Sequence, residues 1–249
     1  MTKKLVALVT GGVGGIGSAI CEELTHRGYE VVAGYHPAEE KHAQEKLKEW
    51  KAANLPIDIA VGDVSSFSSC VDMAKVIQKK HGVVQCIVNC AGITRDKTLK
   101  KMSEEDWAAV INVDLSSLFN VTKQFIEGMT EAGYGRIINI SSVNGKKGQL
   151  GQTNYSAAKA GVHGFTMALA QEVVRKGVTV NSVSPGYTET AMTKAIPEEV
   201  TQQIVNQIPA GRMAQPEEIA YVVGFLADKR AGYITGQNIS PNGGMFISF

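Results

Sequence analysis

Residues 5–17 read LVALVTGGVGGIG, and this stretch decides the fold. Its apolar, β-branched half, residues 5–10, predicts a strand that is buried on both faces. The glycine-rich half leads directly into an amphipathic pattern at residues 15–27, which predicts a helix. Glycines let the backbone turn tightly and approach a pyrophosphate, whose charge is met by the N–H groups and the positive end of the helix. The stretch therefore predicts a dinucleotide-binding turn.

The glycines of this turn fit two registers. Gly12, Gly14 and Gly17 match the general dinucleotide pattern G-x-G-x-x-G, whereas Gly11, Gly15 and Gly17 match a wider one. The sequence leaves both registers open, and a glycine-rich turn without a ligand is the structural alternative. The candidate cofactor-binding residues of the loop are Gly11, Gly12, Gly14, Gly15, Ile16 and Gly17.

The alternation of strand and helix patterns continues along the chain. Further strands are predicted at residues 30–34, 57–61, 86–89, 136–141, 179–183 and 238–240, and helices at 38–53, 68–81, 103–131, 154–175 and 216–227. Strands joined by helical crossovers run parallel and are covered on both faces. We expect one doubly wound, Rossmann-type α/β domain over residues 1–249, with a mostly parallel seven-stranded sheet. The long stretch at 185–216, with a helical pattern at 198–207, is expected to supply a lid at about 187–215.

Composition excludes several classes of protein. The 249 residues carry 25 Lys and Arg against 24 Asp and Glu, a net charge of +1, which argues against nucleic acid as a partner. No apolar run approaches the roughly 20 residues that span a bilayer, so we expect a cytoplasmic protein without a membrane partner. The 4 cysteines form neither a C-x-x-C pair nor a Cys/His cluster, which predicts buried thiols rather than disulfides or a metal site.

The end of the second predicted strand bears on cofactor choice. The general pattern places an Asp or Glu there to bind the ribose 2′-hydroxyl, but this chain has Tyr35 and His36. A carboxylate would repel a 2′-phosphate, so its absence favours NADP, with His36 and Lys41 as candidate phosphate partners. In the alternative interpretation, Glu39 or Glu40 binds the ribose.

Asp63 and Val64 follow the third predicted strand at the same edge of the sheet. Asp63 would there accept a hydrogen bond from the adenine amine. A helix cap or a turn accounts for Asp63 equally well, and the sequence does not separate these alternatives.

Tyr155 and Lys159 form the candidate catalytic pair. Among 7 tyrosines only Tyr155 has a lysine four residues later, and on the predicted helix both side chains share one face. A nearby ammonium stabilises a phenolate, which lets the phenol exchange a proton near neutral pH. Ser142 follows the strand predicted at 136–141, at the same edge of the sheet as the glycine loop, where its hydroxyl would bind a carbonyl oxygen that Tyr155 protonates.

In this order of motifs the whole chain resembles the short-chain dehydrogenase/reductase family. The motifs are Thr10-Gly-x-x-x-Gly-x-Gly17, Asn89-Cys-Ala-Gly92, Ser142, Tyr155-x-x-x-Lys159 and Pro185-Gly186. The resemblance implies that Tyr155 is the general acid, that Lys159 holds the nicotinamide ribose and lowers the tyrosine pKa, and that Ser142 orients the substrate. It implies further NADP(H)-binding residues at Asn89, Ala91, Gly92, Pro185, Gly186 and Thr188.

The chain departs from the family pattern at two positions. Cys90 replaces an Asn whose role is mainly structural, so we expect the change to be tolerated. Asp114 replaces the catalytic Asn of the long helix, and an ionised carboxylate there would compete with Tyr155 for the charge of Lys159. Asn112, two residues earlier, would point to a different side of the helix. A working enzyme with a shifted pH profile is expected.

Within the family, residues 92–96, 118–123, 141–155 and 184–187 resemble the reductases of 3-oxoacyl thioesters, those acting on acetoacetyl-CoA in polyhydroxybutyrate formation and those acting on acyl-carrier-protein thioesters. The substrate residues implied are Asp96, Gln149, Gln152 and Tyr187. In the alternative interpretation the two glutamines are ordinary polar residues of a surface loop, and Tyr187 packs within the lid. Arg95, Lys100 and Lys101 form a basic cluster that suits either CoA phosphates or an acidic carrier protein, and surface charge without a partner is the alternative.

Two further expectations concern the class and the assembly of the protein. A non-catalytic NADP-binding regulator would keep the glycine loop and lose the chemistry, and Asp114 alone favours it. The resemblance implies a homotetramer, and the apolar tail at residues 245–249 fits burial against a neighbouring subunit.

Overall fold

An all-parallel sheet of seven strands forms the centre of the computed structural model, which describes residues 4–190, 193 and 197–247. The strands are β1 (Val6–Thr10), β2 (Glu30–Tyr35), β3 (Ile57–Val61), β4 (Val84–Asn89), β5 (Gly135–Ile140), β6 (Val178–Val183) and β7 (Asn238–Ile239). They lie in the order β3-β2-β1-β4-β5-β6-β7, with every neighbouring pair parallel. The predicted strands are all present, and the Rossmann-type α/β fold is confirmed.

Helices cover both faces of this sheet. They are α1 (Gly15–His26), α2 (Glu40–Ala52), α3 (Phe67–His81), α4 (Glu104–Ile111), α5 (Ser117–Thr122), α6 (Ile126–Glu131), α7 (Asn144–Lys147), α8 (Thr153–Val173), α9 (Glu198–Asn206) and α10 (Pro216–Ala227). Side chains alternate along β1, so Ala7 and Val9 pack with α1, α2 and α10, whereas Val6 and Leu8 pack with α3, α5, α6 and α8. This two-sided burial explains why four successive residues of β1, from Val6 to Val9, are all apolar.

The region predicted as one helix over residues 103–131 is broken. A π-helical turn at Asn112–Ser116 separates α4 from α5, and turn residues 123–125 separate α5 from α6. Such turns are frequent at functional sites. The π-helical turn carries Asp114, which is fully buried, whereas Asn112 is exposed.

The segment between β6 and α10 is joined at its two ends. The Glu189 N–H donates to the Ala214 carbonyl at 2.8 Å, and the Ala214 N–H donates to the Tyr187 carbonyl at 2.9 Å. Helix α9 lies between them and has no buried residue. Residues 191, 192 and 194–196 of the expected lid lie outside the described residues, and so do 248 and 249 of the apolar tail.

The topology opens a crevice at the carboxyl ends of β1 and β4, which are adjacent although other elements separate them along the chain. The Thr10 hydroxyl oxygen at the end of β1 accepts from the N–H groups of Cys90 and Ala91 at 3.0 and 3.2 Å. The glycine loop is thereby held against the segment that follows β4. No helix among the described residues is long and apolar enough to cross a bilayer.

Candidate active site

The glycine loop is shaped by contacts that leave little room for side chains. Gly11 has a φ of +62°, and a Cβ there would lie 3.0 Å from Ala91 Cα. A Cβ on Gly17 would lie 2.0 Å from the Gly11 carbonyl oxygen, and one on Gly12 would lie 2.7 Å from a side chain of β2. At Gly14 the nearest atom would be 3.4 Å away, an ordinary contact. Packing therefore demands glycine at 11, 12 and 17, and tolerates a side chain at 14.

The N-terminus of α1 fits an anionic group. Gly14 caps the helix without a side-chain hydrogen bond, and the first turn has no acidic residue. Its N–H groups and the helix dipole together favour negative charge at this end. Gly15 is exposed there and Ile16 is half-buried, while a Cβ on Gly15 would lie 2.9 Å from Thr190 Cγ2. This end of α1 suits a dinucleotide pyrophosphate, because it offers backbone N–H donors, has no acidic side chain in its first turn and has glycines that let a ligand approach the backbone.

At the end of β2, both glutamates considered as ribose ligands have local partners. The Tyr35 hydroxyl donates to Glu40 Oε2 at 2.6 Å, and Glu39 Oε2 accepts from the His36 N–H at 3.1 Å. His36 and Lys41 are exposed at this end of the crevice. The two carboxylates are thus already engaged in the turn that starts α2.

Asp63 takes part in a local turn, and its role in binding the adenine amine stays a prediction. Its Oδ1 accepts from the Ser65 N–H and hydroxyl at 2.9 and 2.7 Å, which is the turn interpretation, while Oδ2 lies 3.9 Å from His36 Nε2. These hydrogen bonds keep the pKa of Asp63 low despite its partial burial. Val64 is buried, and its carbonyl accepts from Asn120 Nδ2 at 2.9 Å. The Asp63 carboxylate therefore remains ionised next to His36.

His42 is a contact that the sequence did not indicate. Its Nε2 lies 3.0 Å from the Val13 carbonyl oxygen, so α2 reaches the glycine loop. The two residues are 29 positions apart, and no local pattern announces such a contact.

Asn89 serves the sheet rather than the crevice surface. Its Nδ2 donates to Asn139 Oδ1 on β5 at 2.8 Å, and Asn139 Nδ2 donates to Thr166 Oγ1 on α8 at 3.0 Å. All three side chains are buried. This chain of hydrogen bonds fixes β4, β5 and α8 relative to one another just below the candidate site.

Lys159 lies at the centre of the candidate catalytic group. Its Nζ is 5.5 Å from the centre of the Tyr155 ring and donates to the Ile140 carbonyl at 3.1 Å. Asp114 Oδ2 lies 3.1 Å from the same Nζ in an ion pair, and Asp114 Oδ1 accepts from the Ile93 N–H at 2.9 Å. Both charged side chains are buried, at 5% and 0% exposure. The ammonium is thus held by a strand carbonyl and a carboxylate beneath the phenol.

This arrangement sets the electrostatics of the pair. Burial lowers the pKa of Lys159, but the nearby Asp114 carboxylate raises it above its ordinary value, so the lysine is charged. Burial raises the pKa of Tyr155, the Lys159 ammonium lowers it, and Asp114 raises it again. The net direction for Tyr155 is upward, which keeps the phenol protonated in neutral solution.

Ser142 stands beside the phenol, after β5. Its Oγ accepts from the Asn144 N–H at 3.1 Å, which leaves its own O–H as a donor. Its hydroxyl also lowers the pKa of Tyr155. Helix α7, which the polar sequence NGKK did not predict, begins at Asn144 and supplies this contact. Ser142, Tyr155 and Lys159 are brought together as expected.

Of the expected substrate residues, Gln152 and Tyr187 interact with Asp96, whereas Gln149 does not. Gln152 Nε2 donates to Asp96 Oδ2 at 2.7 Å, and Gln152 Oε1 accepts from Asn144 Nδ2 at 2.9 Å. Tyr187 is half-buried, and its pKa is raised by burial and by the charge of Asp96. Gln149 instead accepts from the Lys147 ammonium at 2.8 Å.

The Pro185–Gly186 turn lies between the segment that follows Ser142 and the C-terminal segment of the chain. The Pro185 carbonyl accepts from the Val143 N–H at 2.9 Å, next to Ser142. A Cβ on Gly186 would lie 2.9 Å from Asn242 Cα, so the turn is wedged against the C-terminal segment. Thr188 is buried, and its hydroxyl donates to the Gly186 carbonyl at 3.4 Å.

The remaining sequence features lie around the site. Burial raises the pKa of the Cys90 thiol to about 11, so this thiol is unreactive at neutral pH. Arg95, Lys100 and Lys101 are all exposed. Among the described side chains, no group of three or more His, Cys, Asp or Glu is arranged to hold a metal ion.

Comparison with known proteins gives a consistent result. Residues 5–201 match the family described as short chain dehydrogenase. The chain is 56% identical to the acetoacetyl-CoA reductase of Allochromatium vinosum, over 97% of this chain and 98% of that protein. It is 51% identical to the acetoacetyl-CoA reductase of Cupriavidus necator, over 99% and 100%, and 47% identical to a 3-oxoacyl-[acyl-carrier-protein] reductase of Pseudomonas aeruginosa, over 98% of each chain. The chain belongs to the short-chain dehydrogenase family.

Proposed function

We propose that this protein reduces a 3-oxoacyl thioester, acetoacetyl-CoA, to the 3-hydroxyacyl thioester with NADPH. The observation that carries the proposal is the meeting of Ser142, Tyr155 and Lys159 at the carboxyl edge of the sheet, beside the glycine loop. The thioester class is supported by relatives named acetoacetyl-CoA reductase at 51% and 56% identity.

In the proposed mechanism, the protein moves one proton. The Ser142 O–H donates a hydrogen bond to the 3-oxo group, because a carbonyl oxygen only accepts, and the Ser142 oxygen meanwhile accepts from the Asn144 N–H. Tyr155 O–H gives its proton to the same oxygen as negative charge develops there. The Lys159 ammonium stabilises the phenolate that remains, and Asp114 keeps that ammonium charged and fixed.

The residues around the crevice suit a nicotinamide dinucleotide. Gly11, Gly12, Gly14, Gly15, Ile16 and Gly17 would hold the pyrophosphate, while Tyr35, Asp63, Val64, Ala91 and Gly92 would line the adenosine side and Pro185, Gly186 and Thr188 the nicotinamide side. When bound, the reduced nicotinamide supplies the hydride. NADPH is favoured over NADH because β2 ends without a carboxylate, and Glu39 and Glu40 are both engaged in hydrogen bonds of their own.

The test follows the absorbance of NADPH after acetoacetyl-CoA is added. We expect Tyr155→Phe to lower kcat by about 10²-fold or more while NADPH binding, measured by fluorescence, is kept. Tyr233→Phe, at a fully exposed tyrosine, is the matched control and should keep wild-type turnover. NADH in place of NADPH should give a kcat/KM lower by about tenfold or more. Full turnover by Tyr155→Phe would refute the mechanism.

A second candidate is the reduction of 3-oxoacyl groups carried by an acyl carrier protein. The relative from Pseudomonas aeruginosa carries that name, and the exposed basic residues Arg95, Lys100 and Lys101 suit an acidic carrier surface. Comparing kcat/KM for acetoacetyl-CoA, longer 3-oxoacyl-CoAs and a carrier-protein thioester decides between the two. Wild-type protein that binds NADPH and reduces none of them would instead be a regulator.

We also propose that residues 1–249 act as one domain, that the segment at about 187–215 closes over the substrate, and that the protein assembles as a homotetramer. A Cβ on Gly15 would lie 2.9 Å from Thr190 Cγ2, and this proximity of the start of the segment to the glycine loop supports the second point.

A further inference from the structure

The segment that carries Asp96 is fastened to the turn that leads into Tyr155. The Lys97 N–H donates to the Gly151 carbonyl at 2.9 Å, and Asn154 Nδ2 donates to the Arg95 carbonyl at 3.2 Å. Between these two backbone ties, Asp96 Oδ2 accepts from Gln152 Nε2 at 2.7 Å. Three attachments within a few residues give the Asp96 carboxylate a fixed place close to Tyr155.

Asp96 dictates how the Gln152 amide is oriented. A carboxylate only accepts hydrogen bonds, so the NH₂ group of Gln152 must face it. Gln152 Oε1 then faces Asn144, whose own NH₂ group donates to it at 2.9 Å, and Asn144 Oδ1 is left buried without a partner. One N–H of Gln152 remains available to a ligand, on the side of the amide that lies against Asp96.

The charge of Asp96 is not neutralised by a cation. No ammonium or guanidinium among the described residues lies within 4 Å of it, as the neighbouring cations have other partners. Lys97 pairs with Asp106 at 2.6 Å, and Arg95 Nη1 donates to the Thr94 carbonyl at 2.8 Å. The negative charge nevertheless reaches the site, because it raises the pKa of both Tyr155 and Tyr187.

We propose that Asp96 is a specificity-determining residue that admits neutral 3-oxoacyl groups, thioesters above all, and rejects 3-oxo acids with a free carboxylate. The inference rests on the proposed function and deepens it. With the 3-oxo group at Ser142 and Tyr155, the second carbonyl of the substrate takes the remaining N–H of Gln152. A thioester carbonyl there is neutral, whereas a free acid places a second negative charge beside Asp96.

The experiment compares acetoacetate with methyl acetoacetate, two small molecules that differ chiefly in charge. Their inhibition constants against acetoacetyl-CoA are measured for the wild type and for Asp96→Asn, which keeps an oxygen for the Gln152 N–H. We expect Asp96→Asn to lower the inhibition constant of acetoacetate about tenfold and to change that of methyl acetoacetate less than twofold. Asp96→Glu, which keeps the charge, should retain the rejection, and Asp72→Asn at an exposed acid on α3 controls for net charge.

Several outcomes would overturn the proposal. It fails if the inhibition constants of acetoacetate and methyl acetoacetate change by the same factor in Asp96→Asn, or if the wild type binds both molecules equally well. It also fails if neither molecule competes although acetoacetyl-CoA is turned over, since the acyl group would then not lie beside Asp96. Wild-type protein without activity on any 3-oxoacyl thioester would refute the proposed function itself, which is a separate result.

Discussion

Asp114 acts on Tyr155 through the lysine that lies between them. Its Oδ2 is 3.1 Å from Lys159 Nζ, and its other oxygen is held by the Ile93 N–H, so the carboxylate has a single fixed position. Buried charges of opposite sign largely cancel at a distance, and the phenol therefore gains less from the lysine than it would from an unpaired ammonium. The family pattern described in the sequence analysis has a neutral Asn at this position, so this chain departs from that pattern here.

We predict that Asp114→Asn moves the alkaline limb of the reduction profile to lower pH. Reduction needs the protonated phenol, so the rate falls as pH rises through the Tyr155 pKa. Burial raises that pKa, Lys159 lowers it and Asp114 raises it, so removing the carboxylate must lower it. The measurement is kcat/KM for acetoacetyl-CoA against pH. An alkaline limb that stays in place would show that Asp114 does not influence the phenol.

The control for this profile is Asp72→Asn, which removes an exposed carboxylate on α3. Its distance from the site and its exposure to solvent should leave the limb where it is. In the oxidation of the 3-hydroxyacyl thioester, the phenolate is the active form. The acidic limb of that reaction should therefore move to lower pH in Asp114→Asn by the same amount.

At the scale of elements, the packing of the glycine loop shows which of its positions need glycine. Both registers of the pattern were open from the sequence, because letters alone do not show which Cβ atoms would collide. The structure demands glycine at 11, 12 and 17 and leaves space at 14. Only a ligand would require glycine at 14.

We predict that Gly17→Ala and Gly14→Ala differ in stability. The new Cβ at 17 would lie 2.0 Å from the Gly11 carbonyl oxygen, so the free energy of unfolding should fall by about 1–3 kcal/mol. At 14 the nearest atom is 3.4 Å away, and the cost should stay within about 1 kcal/mol. Urea unfolding measures both. Equal destabilisation would contradict the packing argument, and loss of NADPH binding by a stable Gly14→Ala would favour the register that includes Gly14.

The elements differ in how far they could be predicted from the sequence. Strands that are buried on both faces, such as β1 and β5, were found because they leave a local run rich in apolar residues. The partly buried β3 and β7 were predicted as well. The π-helical turn at Asn112–Ser116 was missed, since over 5 residues the sequence pattern of a π-helix cannot be distinguished from that of an α-helix. What distinguishes them is tertiary: Asp114 is drawn to the Ile93 N–H and to Lys159. The contact of His42 with the glycine loop and the bond between Gln152 and Asp96 were beyond prediction for the same reason.

At the scale of the whole molecule, exposed aromatic side chains lie on opposite faces of the sheet. Phe67 and Phe119, on α3 and α5, stack with their ring centres 5.8 Å apart and are 45% and 54% exposed. Tyr221 and Phe225, one helical turn apart on α10, are 65% and 42% exposed on the other face. A tetramer with three two-fold axes needs at least two kinds of self-complementary interface, and these two patches provide candidates for them.

We predict that each patch supports one interface of the proposed homotetramer. Phe119→Glu places a charge in the first, and Tyr221→Glu together with Phe225→Glu does so in the second. Each change should halve the mass measured by light scattering, and all three together should give monomers, because burial of an unpaired carboxylate costs more than the contact gains. Leu150→Glu, at a leucine that is 89% exposed, is the control and should stay tetrameric. Wild-type protein that is monomeric would remove the assembly proposal, whereas a tetramer that survives one set of changes would place that interface elsewhere on the surface.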